Sequence, residues 1–165
     1  MPLRFAIIGG GPAGNTAATH AARLGAEVTV VEQDVVGGAA HLWDCIPSKA
    51  MIATGGALAA VRRSPEMGLT GAQAAVDPDA LKARIEAIEQ KLEHGTRQLL
   101  DSQGVQLIRG RGRLAGPNLV VADTTDGPLE VEADVVLLAT GSRPRLPDWA
   151  TVDGKRVLST RDAHP

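Results

Sequence analysis

The sequence has few aromatic residues and a single cysteine. Phe5, Trp43 and Trp149 are the only aromatic side chains among 165 residues. A stacking platform for single-stranded nucleic acid needs several such rings, so that class of protein is excluded. The single cysteine, Cys45, excludes an internal disulfide and fits a reducing compartment. We therefore expect a cytoplasmic protein.

Basic charge, long apolar runs and metal-ligand patterns are also missing. The net charge of -2 offers no basic surface for nucleic acid or an anionic membrane. No apolar run approaches the roughly 18 residues of a membrane span, and the N-terminus lacks a charged leader with a cleavage site. The four histidines, at His20, His41, His94 and His164, show no metal-ligand spacing, so we expect no metal site.

Apolar patterning predicts an α/β fold built on a parallel sheet. Near-continuous apolar runs are typical of parallel strands that are buried on both faces, and they alternate here with segments of helical period. Strands are predicted at 3–8, 27–31, 105–108 and 134–140, and helices at 12–24, 47–63 and 79–103. The segment after Gly37-Gly38 is predicted to be a loop. Short runs at 119–122 and 129–131 predict a small antiparallel meander.

A glycine-rich turn joins the first predicted strand to the first predicted helix. Its pattern is Gly9-x-Gly11-x-x-Gly14, with Pro12 and Ala13 in the helix start. Gly9 permits the tight turn, Gly11 lets a pyrophosphate approach the backbone at the helix N-terminus, and Gly14 lets helix and strand pack closely. The alternative is an ordinary glycine turn. Because strand, turn, helix and second strand occur in the right order, we predict a Rossmann-like dinucleotide site.

An acidic residue ends the second predicted strand. Glu32 stands where a carboxylate can accept hydrogen bonds from both hydroxyls of an adenosine ribose, and Gln33 follows it in the same predicted site. The carboxylate would repel a ribose 2′-phosphate. The alternative is a surface glutamate.

A second motif lies at the end of the last predicted strand. The segment Ala139-Thr140-Gly141-Ser142 follows four apolar residues and is separated from Pro144 by one residue. It resembles the second signature of flavoproteins with two dinucleotide folds. By that resemblance all four residues bind FAD; the alternative is a buried strand followed by a turn.

A third motif, from Gly37 to Lys49, resembles the active-site segment of the pyridine-nucleotide disulfide oxidoreductases, which include dihydrolipoamide dehydrogenase. Their pattern is Gly-Gly-Thr-Cys, four residues, then Cys-(Ile/Val)-Pro-Ser-Lys. Here Cys45 keeps the second cysteine and Lys49 ends the motif, but Ala39 and Ala40 replace the threonine and the first cysteine. This form most closely resembles the actinobacterial NAD(P)H:quinone reductases that lack the redox disulfide.

The resemblance implies roles for individual residues. Gly38 and Ala39 would contact FAD, Cys45 would lie against the flavin ring, and Lys49 would lie beside the flavin N5. The alternatives are a small buried hydrophobic residue for Cys45 and a solvated side chain for Lys49. Arg111 and Gly112 resemble the family segment whose backbone contacts adenine; a simple turn is the alternative.

The resemblance also implies a function and a domain organisation. Residues 1–145 are expected to be the N-terminal, incomplete part of an FAD-binding domain, and residues 146–165 a linker toward an NAD(P)H-binding domain. The expected parent is a homodimeric, FAD-dependent NAD(P)H oxidoreductase that reduces quinones. The alternatives are a dihydrolipoamide dehydrogenase-like fragment that only binds FAD or ADP without turnover, and a Rossmann-like remnant with an empty site.

Overall fold

The structure is a computed structural model that describes residues 1–163. The chain divides into two compact units. The first contains Met1–Leu42 and Lys91–Arg143, and the second contains Trp43–Gln90 and the segment that begins at Pro144. The predicted boundary between an FAD-binding part and a linker at residue 145 stays a prediction.

The first unit is built on a four-stranded parallel sheet. Strand β1 (Arg4–Ile8) pairs with β2 (Glu27–Glu32) on one side and with β7 (Val135–Leu138) on the other, and β3 (Gln106–Arg109) pairs with β2. Helix α1 (Pro12–Arg23) connects β1 to β2, and Gly25, whose φ is 89°, follows its C-terminal end. The order β3-β2-β1-β7 confirms the predicted parallel sheet.

A three-stranded antiparallel meander completes the first unit. Strands β4 (Arg111–Gly116), β5 (Leu119–Thr124) and β6 (Gly127–Glu132) pair in that order. The predicted meander is confirmed, but β4 was not predicted. Its sequence is charged and glycine-rich, so it carries little β propensity. It becomes a strand because β5 offers a pairing edge, and Arg113 also lies 3.5 Å from Asp123 across that pair.

Successive residues of β1 point into two different apolar clusters. Ala6 and Ile8 pack with Val120 and Ala122 of the meander. Ile7 packs with Ala18 of α1 and with Leu100. The sheet is therefore covered by helices on one face and by the meander on the other, which is why β1 is apolar along almost its whole length.

Helix α3 (Pro78–Ser102) confirms the helix predicted at 79–103. Its apolar residues Leu92 and Leu99 follow a helical period. Both are exposed, Leu99 to 49%, whereas the adjacent Leu100 is 1% exposed. Neighbouring leucines satisfy the same pattern, so the choice between them is made by packing against Val105 and the sheet.

The segment predicted to be a loop after Gly37-Gly38 is helical instead. A π-helix at Ala40–Cys45 runs directly into α2 (Ile46–Arg63), and a 3₁₀ helix follows at Ser64–Met67. Both glycines have positive φ, 116° and 80°, a conformation that favours glycine. Within residues 1–163, no helix is both long and apolar enough to cross a membrane.

Candidate functional site

The glycine-rich turn begins directly after β1 with a backbone conformation that favours glycine. Gly9 has φ 110°, and its N–H donates to the Val31 carbonyl at 2.9 Å. A Cβ on Gly9 would overlap the carbonyl oxygen of Ala139. The turn therefore lies directly against the end of β7, where Ala139 N–H donates to the Ile8 carbonyl at 2.8 Å.

The other two glycines of the motif, Gly11 and Gly14, differ in whether packing within the protein requires glycine. A Cβ on Gly14 would overlap the carbonyl oxygen of Gly9 and lie 3.3 Å from Ile7 Cγ2, so the contact between α1 and β1 itself needs this glycine. Gly11 has φ -78°, and its added Cβ would meet only Gly38 Cα, at 3.7 Å. Neither backbone conformation nor packing within the protein requires glycine there. Apart from Gly38 Cα, no heavy atom of the described residues lies within 4 Å of that Cβ position.

The start of α1 is suited to an anion. Gly11 caps the helix without a side-chain hydrogen bond, and Pro12 and Ala13, both exposed, form its first positions. The first N–H groups of a helix have no partner within the helix, and its dipole favours negative charge. An open approach at Gly11 and a helix N-terminus together form a cradle that a pyrophosphate fits.

Glu32 has a structural role that the sequence did not predict. Its Oε2 accepts the Gly10 N–H at 2.6 Å, and its Oε1 accepts the Asp34 N–H at 2.7 Å. The carboxylate thus ties the glycine turn to the end of β2. Each oxygen has a second lone pair, so the half-buried group retains capacity to accept hydroxyl groups of a ligand.

A cleft of about 540 Å³ opens at the carboxyl ends of the parallel strands. It brings together half of the residues predicted to bind the cofactor. Those residues are Gly9, Glu32, Gln33, Arg111, Gly112, Thr140, Gly141 and Ser142. Strands β1, β2 and β7 end at this edge, so the glycine-rich turn, Glu32 and the second motif, which are distant in sequence, meet there.

The remaining predicted residues of the first unit lie beside the cleft or behind it. Gly11, Pro12, Ala13 and Gly14 form the start of α1, and Ala139 lies against Gly9. Gly38 packs on that helix start, since its added Cβ would be 2.6 Å from Gly11 Cα. Ala39 follows it and is half-buried.

The alternative of a simple turn at Arg111 and Gly112 is wrong. They do not form a simple turn, because both belong to β4. Gly112 has a packing reason to be glycine: its added Cβ would lie 2.7 Å from Ile8 Cγ2 and 3.2 Å from Val31 Cγ1. β4 therefore crosses closely over the ends of β1 and β2.

Arg143 also lines the cleft and was not predicted. It occupies the variable position of the second motif, between Ser142 and Pro144, so no pattern could have identified it. Arg111 and Arg143 give the cleft two cations, while Glu32 gives it one anion. Such a site suits a ligand with both a negatively charged group and hydroxyl groups.

Cys45 and Lys49 belong to the second unit. Both side chains are exposed, so the alternative of a buried hydrophobic cysteine is wrong. They are four residues apart at the start of α2 and so share a helix face. Ser48 Oγ donates to the Asp44 carbonyl at 2.7 Å and stabilises this junction of π- and α-helix. Their contact with a flavin stays a prediction.

Metal ligands and histidines add nothing to the site. Within the described residues, no three His, Cys, Asp or Glu side chains lie close enough together to hold a metal ion. His41 is exposed. His164 lies outside the described residues.

Comparisons with known proteins agree with the geometry. A family described as pyridine nucleotide-disulphide oxidoreductase matches residues 3–164. An NAD(P)H dehydrogenase (quinone) from Mycobacterium tuberculosis is 40% identical over 99% of this chain. A dihydrolipoyl dehydrogenase from Zymomonas mobilis is 33% identical over 95% of it.

A solved structure from the same bacterium also matches the chain. The crystal structure of LpdA from Mycobacterium tuberculosis matches with a TM-score of 0.85 and 37% identity, over 98% of this chain and 36% of that one. The chain spans about a third of the length of its curated relatives, 36% of the quinone dehydrogenase and 34% of the dihydrolipoyl dehydrogenase.

Proposed function

Because the chain belongs to the pyridine nucleotide-disulphide oxidoreductase family, we propose that it is the FAD-binding portion of an NAD(P)H-dependent reductase that passes electrons to quinones. The observation that carries this proposal is Ala40, which stands where the family pattern has its first redox cysteine. The 40% identity to an NAD(P)H dehydrogenase (quinone) supports it.

The residues of the first unit fit FAD. The open approach at Gly11 and the N-terminus of α1 would hold the pyrophosphate. The free lone pairs of Glu32 would accept the ribose hydroxyls, and Arg111 and Arg143 would add cationic walls to the cleft. When bound, FAD supplies the transfer of electrons between NAD(P)H and an acceptor.

The roles proposed for Cys45 and Lys49, in the second unit, come from the family resemblance. Cys45, which ends the π-helix, and Lys49 of α2 are four residues apart on one helical face, and that face is proposed to meet the flavin ring. The ammonium of Lys49 would stabilise negative charge there. Cys45 is the only cysteine of the 165 residues, so it cannot exchange electrons with a neighbouring thiol of this chain. Electrons would therefore leave the flavin without a disulfide within these 165 residues, which suits a quinone as acceptor.

The second candidate function is a nucleotide-binding module without turnover. The grouping of the cleft residues within the first unit supports it. The module would bind FAD or ADP through the same residues of the first unit. Activity separates the two candidates, whereas binding does not.

The acceptor specificity can be tested in the intact protein. With NADH or NADPH as donor, we expect turnover with menadione, little or none with lipoamide, and retention of menadione turnover in Cys45→Ser, since no disulfide takes part. Initial rates with both acceptors, measured for the unmodified protein and for Cys45→Ser, check this. Lipoamide turnover that disappears in Cys45→Ser would contradict the quinone assignment, and absence of turnover with either acceptor would favour the binding module.

Replacing Glu32 tests the nucleotide site. Glu32→Gln should weaken FAD and ADP binding about tenfold or more, because a charge-assisted hydrogen bond to the ligand is worth roughly 1.5–3 kcal/mol. The amide can also no longer accept both the Gly10 and the Asp34 N–H groups. Titration calorimetry with both nucleotides measures the effect. Glu27→Gln, in the same strand and exposed, is the matched control and should bind like the unmodified protein. Equal affinities of the two variants would refute the assignment.

A further inference from the structure

An arginine from the C-terminal segment lies on the π-helix that ends at Cys45. The Arg161 guanidinium lies over the Trp43 ring, 4.8 Å from its centroid. Its Nε is 3.6 Å from Asp44 Oδ1. All of these residues belong to the second unit. Arg161 therefore contacts the two residues that directly precede the cysteine.

The ion pair is partly withdrawn from water. Asp44 Oδ1 and Arg161 Nε are both inaccessible to solvent, and neither atom makes a hydrogen bond within the described residues. Each is therefore compensated chiefly by the opposite charge. The two side chains as a whole remain 36% and 25% exposed, so the interaction is screened but not abolished.

A local turn fixes the backbone that presents Arg161. The Ser159 N–H and hydroxyl both donate to Asp162 Oδ2, at 3.0 and 2.6 Å, and the Arg161 N–H donates to Ser159 Oγ at 3.2 Å. The bonds from the Ser159 hydroxyl and N–H lower the pKa of the Asp162 carboxyl. The arginine thus projects from an ordered turn, although no helix or strand surrounds it.

We propose that Arg161 is a positioning residue for Cys45: it holds the π-helix through Trp43 and neutralises the carboxylate of Asp44, the residue before Cys45. Its relevance to catalysis rests on the proposed function, in which Cys45 meets the flavin. The field at the thiol would then be set by a residue outside the active-site motif. Loss of Arg161 would leave an unpaired carboxylate on the residue that precedes Cys45.

Alkylation of the single cysteine measures this field directly. Iodoacetate and iodoacetamide react with a thiol in the same way, but only iodoacetate carries a negative charge. The ratio of their second-order rate constants therefore cancels accessibility and thiol ionisation and reports local charge. We expect Arg161→Gln to lower the iodoacetate-to-iodoacetamide ratio about threefold, the order expected for one uncompensated charge at several ångström near the surface.

Further variants separate an effect of charge on this ratio from an effect of packing. Arg161→Lys keeps the cation and should restore a ratio close to that of the unmodified protein. Asp44→Asn should raise the ratio, and the double variant Asp44→Asn with Arg161→Gln should return it. Arg156→Gln, in the same segment with an exposed side chain, is the matched control and should leave the ratio unchanged.

An unchanged ratio in Arg161→Gln would overturn the proposal, whatever happens to the absolute rates. If that variant does not fold, as judged by circular dichroism, Asp44→Asn alone decides, and a ratio that does not rise would overturn the proposal. The assay needs no flavin, NAD(P)H or quinone. Failure of the quinone-reductase proposal in turnover assays would therefore be seen separately.

Discussion

Gly14→Ala should destabilise the first unit by about 3 kcal/mol or more. The added methyl would overlap the Gly9 carbonyl oxygen and press on Ile7 Cγ2 at 3.3 Å. Backbone cannot give way as the end of a flexible side chain does, so α1 must move away from β1 and the buried contacts of Ile7 and Ala18 loosen. Inserting a methyl into a packed interior typically costs 1–3 kcal/mol, and a backbone clash lies at or above the top of that range.

Denaturant unfolding followed by circular dichroism measures this loss. The matched control is Gly95→Ala in α3, where an added Cβ has no heavy atom within 4 Å. That change should stabilise the protein by roughly 0.5–1 kcal/mol, because alanine is the better helix former. Equal stability of Gly14→Ala and the unmodified protein would mean that α1 does not pack on β1 at this glycine.

Gly11→Val should reduce FAD and ADP affinity at least about a hundredfold while leaving the fold nearly as stable. Valine adopts the Gly11 backbone conformation without strain, and the Cβ position is 3.7 Å from Gly38 Cα, an ordinary contact. The side chain would instead occupy the space through which a pyrophosphate reaches the N-terminus of α1. Removing several charge-assisted hydrogen bonds at once accounts for a loss of that size.

Calorimetric titration and thermal unfolding on the same preparation test both halves of this prediction. Gly11→Ala adds only the Cβ and should lose affinity to an intermediate extent, also without loss of stability. Unchanged nucleotide affinity in Gly11→Val would remove the pyrophosphate from this site. A destabilisation as large as that of Gly14→Ala would mean that Gly11 is needed for packing.

The sheet and its glycine turn were predictable because several local signals agree there. Strand β1 must be apolar on both faces, since Ala6 and Ile7 enter different clusters, and that requirement is visible as a continuous apolar run. The positive φ of Gly9 and the close contact at Gly14 likewise require glycine in the sequence. The order of these elements then predicted the parallel sheet.

Other parts of the molecule left no such local signal. Strand β4 has a sequence typical of a turn, and it pairs only because β5 lies beside it. Arg143 stands at a variable position of its motif, yet it lines the cleft. The second bonding role of Glu32, to the N–H groups of Gly10 and Asp34, depends on how the turn folds back over β2.

The sequence by itself determined the α/β class, the dinucleotide motif and the absence of a second cysteine at Ala40. These are properties of short segments, in which steric and chemical requirements act between near neighbours and restrict the residue type directly. Only the tertiary structure decided that Leu100 is buried while Leu99 is exposed, and that Arg161 lies over Trp43. Such contacts join residues far apart in sequence, and many residue types are locally compatible with them. Their selection therefore depends on packing and charge compensation after the chain has folded.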